Sequence, residues 1–287
     1  MHKPDGVVVL YNPDESVWSN ITSYIDYVGL LYVVDNSEQK NLILVEKIKN
    51  HPSAVYIDNK SNLGIGSALN KGAKEAINHS ASWLLTMDQD SRFDKTSLQT
   101  LVAFAYSLPE DHKVGVLSPV HKTVNVDVPI IKDDILTVEV DSVMTSGNLI
   151  YLKAFQSVGG FLEKYFIDCV DHEYCLRVKR KGFKVLLYQV CYLEHNLGDI
   201  ACSDFFGRKV YYTNHSAVRR YYSTRNRLDL FFRYGVNFPV FTSQELFKIL
   251  TEGVKVLLFE QDKFKKTLFM FKGFFDFICQ KFGKIVD

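Results

Sequence analysis

Two carboxylates separated by one residue follow a short apolar run: Trp83-Leu84-Leu85-Thr86-Met87 leads directly into Asp88-Gln89-Asp90-Ser91. In an open α/β sheet the carboxyl ends of the strands border the ligand crevice, so acids placed there face a site rather than a core. Because the chain turns at a strand end, both acids can converge on one cation or divide between a cation and a sugar. Ordinary turn formation is the competing reading, since aspartate is common after strands. Asp171 is a second candidate, at the start of a helical stretch from Asp171 to Lys181. A carboxylate there can take the proton from an attacking hydroxyl, worth roughly 10²–10⁴-fold, or can simply cap the helix. The third is the run Asn62-Leu63-Gly64-Ile65-Gly66-Ser67-Ala68-Leu69-Asn70-Lys71-Gly72. It follows a strand and opens a helix, whose free N–H groups suit an anion. It lacks the third glycine of a dinucleotide fingerprint and the Gly-Lys-Ser/Thr of a phosphate loop. A tight turn with a small-residue helix face against a sheet would also explain it.

Groups of this kind need elements to position them, and the first half of the chain supplies a regular set. Strands are expected at Val7–Tyr11, Leu30–Val34, Ala54–Ile57 and Trp83–Met87, separated by helical stretches beginning with Ser16–Tyr27. This βαβα rhythm argues for an α/β fold with a mostly parallel sheet and helices on both faces. Several strands end in Asp or Asn (Asn12-Pro13, Asp35-Asn36, Asp58-Asn59), which gathers polar groups along one sheet edge. Beyond Asp90 the rhythm changes. A helix is expected over Asp94–Ser107, then a strand Val114–Pro119, and a hairpin or acceptor-facing loop around Val126–Lys132. Thr145-Ser146-Gly147-Asn148 then leads into a strand Leu149–Leu152. Two further strands are expected at Lys184–Leu187 and Val190–Glu194, the second ending at His195.

The last stretch differs in character. From Phe241 to Asp287 there are ten Phe and eight Lys, in two long helical patterns. In the second, Phe264, Leu268, Phe271, Phe275, Ile278 and Phe282 fall on one stripe. That stripe either packs on the domain or a second subunit, as in a homodimer, or lies on an anionic membrane face, where aromatics flanked by lysine are suited. We therefore expect residues 1–235 to form the main domain and 236–287 a helical extension.

Bulk properties narrow the class. A 47% hydrophobic, 23% charged chain of 287 residues is globular, and a net charge of +1 gives no reason to expect nucleic acid. The five cysteines form no Cys-x-x-Cys pair and fit reduced thiols in a cytoplasmic protein. No signal-peptide organisation precedes the first strand, and no apolar run approaches the roughly 18–20 residues needed to span a bilayer.

Taken together the motifs resemble glycosyltransferase family 2, with the GT-A fold. The resemblance is carried by Asn12-Pro13, Asp35-Asn36-Ser37, the Asn62–Gly72 run and Met87-Asp88-Gln89-Asp90-Ser91. It continues through Phe166-Ile167-Asp168-Cys169-Val170-Asp171-His172-Glu173-Tyr174-Cys175-Leu176-Arg177 and Lys181-Gly182-Phe183. Leu193-Glu194-His195-Asn196-Leu197-Gly198-Asp199 and Arg220-Tyr221-Tyr222-Ser223-Thr224-Arg225-Asn226 are similar to its rhamnosyltransferase branch. The resemblance implies an inverting transferase that takes a sugar, L-rhamnose from dTDP-L-rhamnose, to a hydroxyl of a lipid-linked surface glycan at the inner membrane face. Another nucleotide sugar, a UDP-hexose or UDP-galactofuranose, is the alternative.

The implied roles are these. Asn12, Asp35, Asn62, Gly64, Asn70 and Asp88 would contact the nucleotide sugar, with Asp35 accepting from the base and Asp88 facing the ribose or sugar. Asp90 and His195 would hold Mn²⁺ or Mg²⁺. Arg220 and Arg225 would add charge against the diphosphate, unless they lie on a solvated helix face. Asp171 would be the general base, and Ser146, Gly147 and Glu173 would line the acceptor side or support the residues that do. His172 is expected to be exposed, and Asp168 has no assigned role. A phosphatase of the haloacid dehalogenase type also uses an Asp-x-Asp after a strand. It would have the pair near the first strand, with Thr or Val two residues beyond, whereas here the pair follows the fourth strand and Arg92 occupies that place.

Overall fold

The computed structural model describes residues 2–122, 136–195, 200–205 and 207–285. The expected hairpin or acceptor loop at Val126–Lys132 lies outside them. In chain order the elements are β1 (Asp5–Leu10), α1 (Val17–Thr22), β2 (Leu31–Asp35), α2 (Leu42–Lys49), β3 (Ala54–Asp58), α3 (Ile65–Asn78), β4 (Trp83–Asp88) and β5 (Ser91–Phe93). Next come α4 (Lys95–Ser107), β6 (Val114–Lys122), β7 (Thr137–Glu139), β8 (Asn148–Tyr151), α5 (Leu152–Val158), α6 (Val170–Arg180) and β9 (Lys184–His195). The chain continues through β10 (Ile200–Phe205), β11 (Arg208–Thr213), α7 (Ala217–Tyr234), α8 (Pro239–Leu258) and α9 (Lys263–Ile278).

One large sheet has the order β3-β2-β1-β4-β8-β6-β9-β5, with β7 also paired to β9. The first four strands are parallel. The near-continuous apolar runs of β1, β2 and β4 follow from burial on both faces, which alternation would not permit, while β3 is the partly exposed edge. Register aligns the strand ends: Leu10 pairs with Asp35, Asp35 with Asp58, and Val9 with Asp88. Three carboxylates from distant parts of the sequence therefore sit level at one edge. The core beneath them includes Val8, Leu10, Leu31, Val33, Leu85 and Met87.

Helix α3 lies close to the sheet because its inner face is small: Gly66, Ala68, Gly72, Ala73 and Ala76 are all buried. A Cβ on Gly72 would stand 2.3 Å from Val7 Cγ2 and 2.7 Å from Val7 Cβ. Gly72→Ala should therefore destabilise the protein by about 1–3 kcal/mol, by overpacking rather than through backbone strain. Chemical denaturation measures this, and an unchanged midpoint would contradict it.

Past β4 the sheet is mixed. β8 runs antiparallel to both β4 and β6, and β6 runs parallel to β9. The two strands expected at 184–187 and 190–194 are one strand, β9. The expected break corresponds to a register shift, where Pro119 pairs with Tyr188 but Val120 with Tyr192. The far end of β9 pairs antiparallel with β5, which sets Ser91 opposite His195.

The chain divides into two compact units, Met1–Leu162 with Tyr174–Asn196, and Glu163–Glu173 with Leu197–Asp287. This differs from the division at 235/236 read from composition, because α7 belongs with the helices that follow it. In the second unit, α8 and α9 turn their polar residues inward. Glu245 on α8 and Lys266 on α9 are buried, as is Glu260 between the two helices. Lys266 pairs with Glu260 at 2.9 Å. Gly273 lets α9 approach α7 so closely that a Cβ would lie 2.5 Å from the Tyr221 carbonyl oxygen, and Tyr221 donates its hydroxyl to Asp276 at 2.8 Å. The aromatic stripe consequently faces outward. Phe264 is 84% exposed, and Leu268, Phe271, Phe275 and Ile278 are each more than half exposed. Phe282 lies beyond the end of α9, where the Lys164 ammonium sits 3.5 Å from its ring centre. Among the described residues no helix is long and apolar enough to cross a membrane.

Candidate active site

The acid pair sits where β4 ends. Asp88 is its last residue, partly buried, and Asp90 is exposed in the turn before β5. Several bonds fix that turn. The Asp88 backbone N–H donates to Ser146 Oγ at 3.0 Å, and Ser146 is fully buried. Gly147 donates its N–H to the Thr86 carbonyl at 2.7 Å. Its φ of +80° and the closeness of Leu193 and Pro119 to any added Cβ explain why glycine stands there. Ser146 and Gly147 thus support the acid-bearing turn from below. Gln89 between the acids has a use that spacing could not reveal. Its Oε1 accepts the Tyr11 N–H at 2.9 Å and its Nε2 donates to the Tyr11 carbonyl at 3.2 Å. This ties the Asp88–Asp90 turn to the end of β1, next to Asn12, which is exposed with a left-handed φ of 47°. The backbone register brings His195 opposite Ser91, one residue from Asp90, although about a hundred positions separate them in sequence.

Asp35 is placed differently from the sequence expectation. It is fully buried, and its carboxylate accepts the Ser37 N–H at 2.8 Å and the Tyr56 hydroxyl at 2.7 Å. These bonds satisfy it internally, as a buried carboxylate requires. The accessible acid at this edge is Asp58, whose side chain is 40% exposed and pairs with Lys40 at 2.7 Å. The Lys40 hydrogen bond holds the Asp58 carboxyl below the usual carboxylate range. Asp58 was legible as a strand-end acid, but nothing in the sequence ranked it above Asp35.

The glycine-rich run forms the start of α3. Gly64 is the residue before the helix, at φ +87°, and no side chain caps the helix there. Asn62 Oδ1 accepts the Gly64 N–H at 3.0 Å, so it shapes the loop. The first-turn N–H groups keep the disposition that suits an anion. Asn70 does not join them. One turn further along, its amide exchanges two hydrogen bonds with the Phe161 backbone, at 2.7 and 2.9 Å.

In the second unit, Asp171 lies half-buried in the first turn of α6 rather than at its cap. Its Oδ1 accepts the N–H of His172 at 2.8 Å. His172 is three-quarters buried rather than exposed, 3.9 Å from Glu245. Glu173 is buried and accepts the Tyr234 hydroxyl at 2.7 Å. Just before this helix, Phe166, Asp168 and Cys169 all have left-handed φ values, 65°, 61° and 60°. For non-glycine residues each such conformation costs of order 1–3 kcal/mol. Asp168 holds Arg219 at 3.2 Å through one oxygen. Burial raises the Asp168 pKa above its ordinary value, against the lowering effect of Arg219.

Arg220 and Arg225 are not placed as the sequence reading expected. Both are buried and bonded within their own unit. Arg220 pairs with Glu252 at 2.7 Å and with Glu260, and donates to the Thr213 carbonyl at 2.8 Å. Arg225 donates to Tyr221 Oη at 3.1 Å and to the Gly283 and Tyr165 carbonyls at 3.0 and 3.3 Å. Their spacing on α7 is compatible with either a solvated or a buried face, and the packing of α8 and α9 decides for burial.

The chain resembles known proteins along most of its length. The profile described as "Glycosyl transferase family 2" matches residues 7–130, from β1 past the acid pair. The dTDP-rhamnosyl transferase RfbF of Shigella flexneri is 27% identical over 239 residues, 77% of each chain. Among solved structures, S. aureus TarS residues 1–349 in complex with UDP-GlcNAc superposes with a TM-score of 0.60 at 17% identity, covering 96% of this chain and 80% of that one. GalNAc-T7 with UDP, GalNAc and Mn²⁺ superposes at 0.58 and 14% identity, over 79% of this chain and about half (51%) of that longer one. These two likenesses concern the fold alone. With its fold, its Asp88–Asp90 turn and its profile match in agreement, the chain resembles glycosyl transferase family 2 over residues 7–130 and is a glycosyltransferase with a GT-A-like fold.

Proposed function

We propose that this glycosyltransferase moves L-rhamnose from dTDP-L-rhamnose to a hydroxyl of a lipid-linked glycan, with inversion at the anomeric carbon. The observation that carries the donor assignment is the similarity to a dTDP-rhamnosyl transferase across 77% of both chains. In a single displacement the acceptor oxygen attacks the anomeric carbon as the bond to the diphosphate breaks, and Asp171 takes the hydroxyl proton. At the donor, Asp58 offers an exposed acceptor for base N–H groups, and the α3 N-terminus offers donors for phosphate oxygen.

Asp90 and His195 are the pair that would hold a divalent cation, with Asp88 left to the donor's ribose or sugar. Among the described residues no three His, Cys, Asp or Glu side chains gather into a group that could hold a metal ion. Carboxylates at an exposed turn fit Mg²⁺ or Mn²⁺, which take few protein ligands and fill the remaining positions from substrate phosphates and water. When bound, such an ion supplies positive charge against the leaving diphosphate. Purified protein incubated with dTDP-L-rhamnose, UDP-hexoses and UDP-galactofuranose, with and without Mn²⁺, tests the donor and the ion together. Turnover restricted to dTDP-L-rhamnose with Mn²⁺ or Mg²⁺ is expected. Preference for a UDP-sugar, such as the UDP-GlcNAc in complex with TarS, would replace the rhamnose assignment.

A lipid-linked acceptor gives the outward stripe of α9 a use. Exposed Phe264, Phe271 and Phe275 on a helix that also carries Lys265 and Lys272 have the chemistry of a helix lying in an anionic membrane interface. Changing all three Phe to Ser should weaken sedimentation with phosphatidylglycerol vesicles at least about tenfold, since each buried Phe contributes roughly 1.5–3 kcal/mol. Undiminished vesicle binding would remove the membrane reading. A wild-type dimer that the same changes dissociate would assign the stripe to a second copy.

A further inference from the structure

We infer that Asn226 is a positioning residue for Asp171: one buried side-chain amide gathers the backbone carbonyls of the turn from which the base-bearing helix starts. The inference rests on the reading of Asp171 as the general base. Asn226 is fully buried on α7. Its Nδ2 lies 3.0 Å from the Tyr165 carbonyl oxygen, 2.8 Å from that of Ile167 and 2.9 Å from that of Asp168. Its Oδ1 accepts from Arg225 Nε at 3.1 Å, which fixes the amide's orientation. Two amide hydrogens are thus shared among three carbonyls that converge on one point.

That convergence has a cause in the backbone. Phe166, Asp168 and Cys169 all adopt left-handed φ values, and a turn so built points successive carbonyls inward instead of along an extended chain. Buried carbonyls without a donor would be costly, so the conformation persists only where a donor is provided. Neighbouring residues of α7 reinforce the hold. Arg225 also reaches the Tyr165 carbonyl, the Tyr165 hydroxyl donates to Asp229 at 2.8 Å, and the Tyr234 hydroxyl donates to Glu173 at 2.7 Å. Helix α6 begins at Val170, two residues after the last clamped carbonyl, and Asp171 is the next residue. Asn226 acts on the reaction only through this backbone, by setting where the helix starts and so where the carboxylate stands. An isosteric aspartate would turn oxygen lone pairs towards carbonyl oxygens and reverse the interaction.

The test uses the full chain carrying Asn226→Asp. We expect kcat for sugar transfer to fall about 10–100-fold, as a displacement of roughly 1 Å at a reacting group can cost on this order. KM for the donor, and calorimetric affinity for free dTDP and UDP, should stay within about twofold, as expected for a loss confined to the chemical step. Hydrogen exchange of amides in residues 163–173 should quicken. Unchanged exchange there would overturn the clamp, and faster exchange with undiminished kcat would overturn the positioning role. A fall in nucleotide affinity in step with kcat would make Asn226 a general fold residue and also overturn it. Should the aspartate variant not fold, Tyr234→Phe, which removes only the hydroxyl bonded to Glu173, is read on the same scale, with about a fivefold loss of kcat expected. Asp171→Asn run in parallel separates the two readings. If that variant transfers sugar normally, the base assignment fails; if it is inactive while Asn226→Asp keeps its kcat, only the positioning inference fails.

Discussion

Asp171→Asn should reduce sugar transfer by about 10²–10⁴-fold while leaving binding of free dTDP or UDP unchanged, the range expected when a general base is removed. The amide keeps the shape of the side chain and can still accept the His172 N–H that the carboxylate accepts at 2.8 Å. The helix start should therefore survive, and the loss should fall on kcat. Normal transfer by the variant would show that the acceptor's proton goes elsewhere. A loss shared equally by nucleotide binding would show that Asp171 acts on the fold.

Arg220→Met should cost about 3–5 kcal/mol of stability, the range found when one partner of a buried ion pair is removed. The Arg220 side chain is 4% exposed and bridges Glu252 and the fully buried Glu260 carboxylate. Lys266 would remain beside Glu260 at 2.9 Å, which places the expected cost near the lower end. A comparison fixes the scale. Arg92 pairs with Glu194 at 3.4 Å, with both side chains more than half exposed, so Arg92→Ala should change stability by less than about 1 kcal/mol. Urea denaturation of the two variants decides the matter. An Arg220 variant of normal stability and poor turnover would return this arginine to the diphosphate role its position in the sequence suggested.

The strand-end acids were readable because their signal is local. An apolar run followed by an acid states both the strand and its exit towards the sheet edge, so Asp35, Asp58 and Asp88 could be placed before any contact was known. The start of α6 was equally local. What could not be ranked was which strand-end acid remains accessible. Asp35 is consumed by Tyr56 and Ser37, partners set by the pairing of β2 with β3 and the turn that follows. Gln89 gave no signal, since its partner Tyr11 is 78 positions away. Asn70 stands inside a phosphate-like run, yet it bonds to Phe161, 91 positions away.

The sequence alone determined the α/β class, the family resemblance and the order of the chemical groups, because each is written in short-range pattern and spacing. Tertiary structure alone decided the direction of faces. The periodicity of α9 puts Phe264, Leu268, Phe271, Phe275 and Ile278 on one side but does not say whether that side is inner or outer. Buried Glu260, paired to Lys266, and the close seat of Gly273 on α7 turned that side outward. The same packing closed over Arg220 and Arg225 and brought Asn226 onto the turn before Asp171. A repeat along a helix fixes which residues share a side, and only the neighbour that packs against it fixes what that side meets.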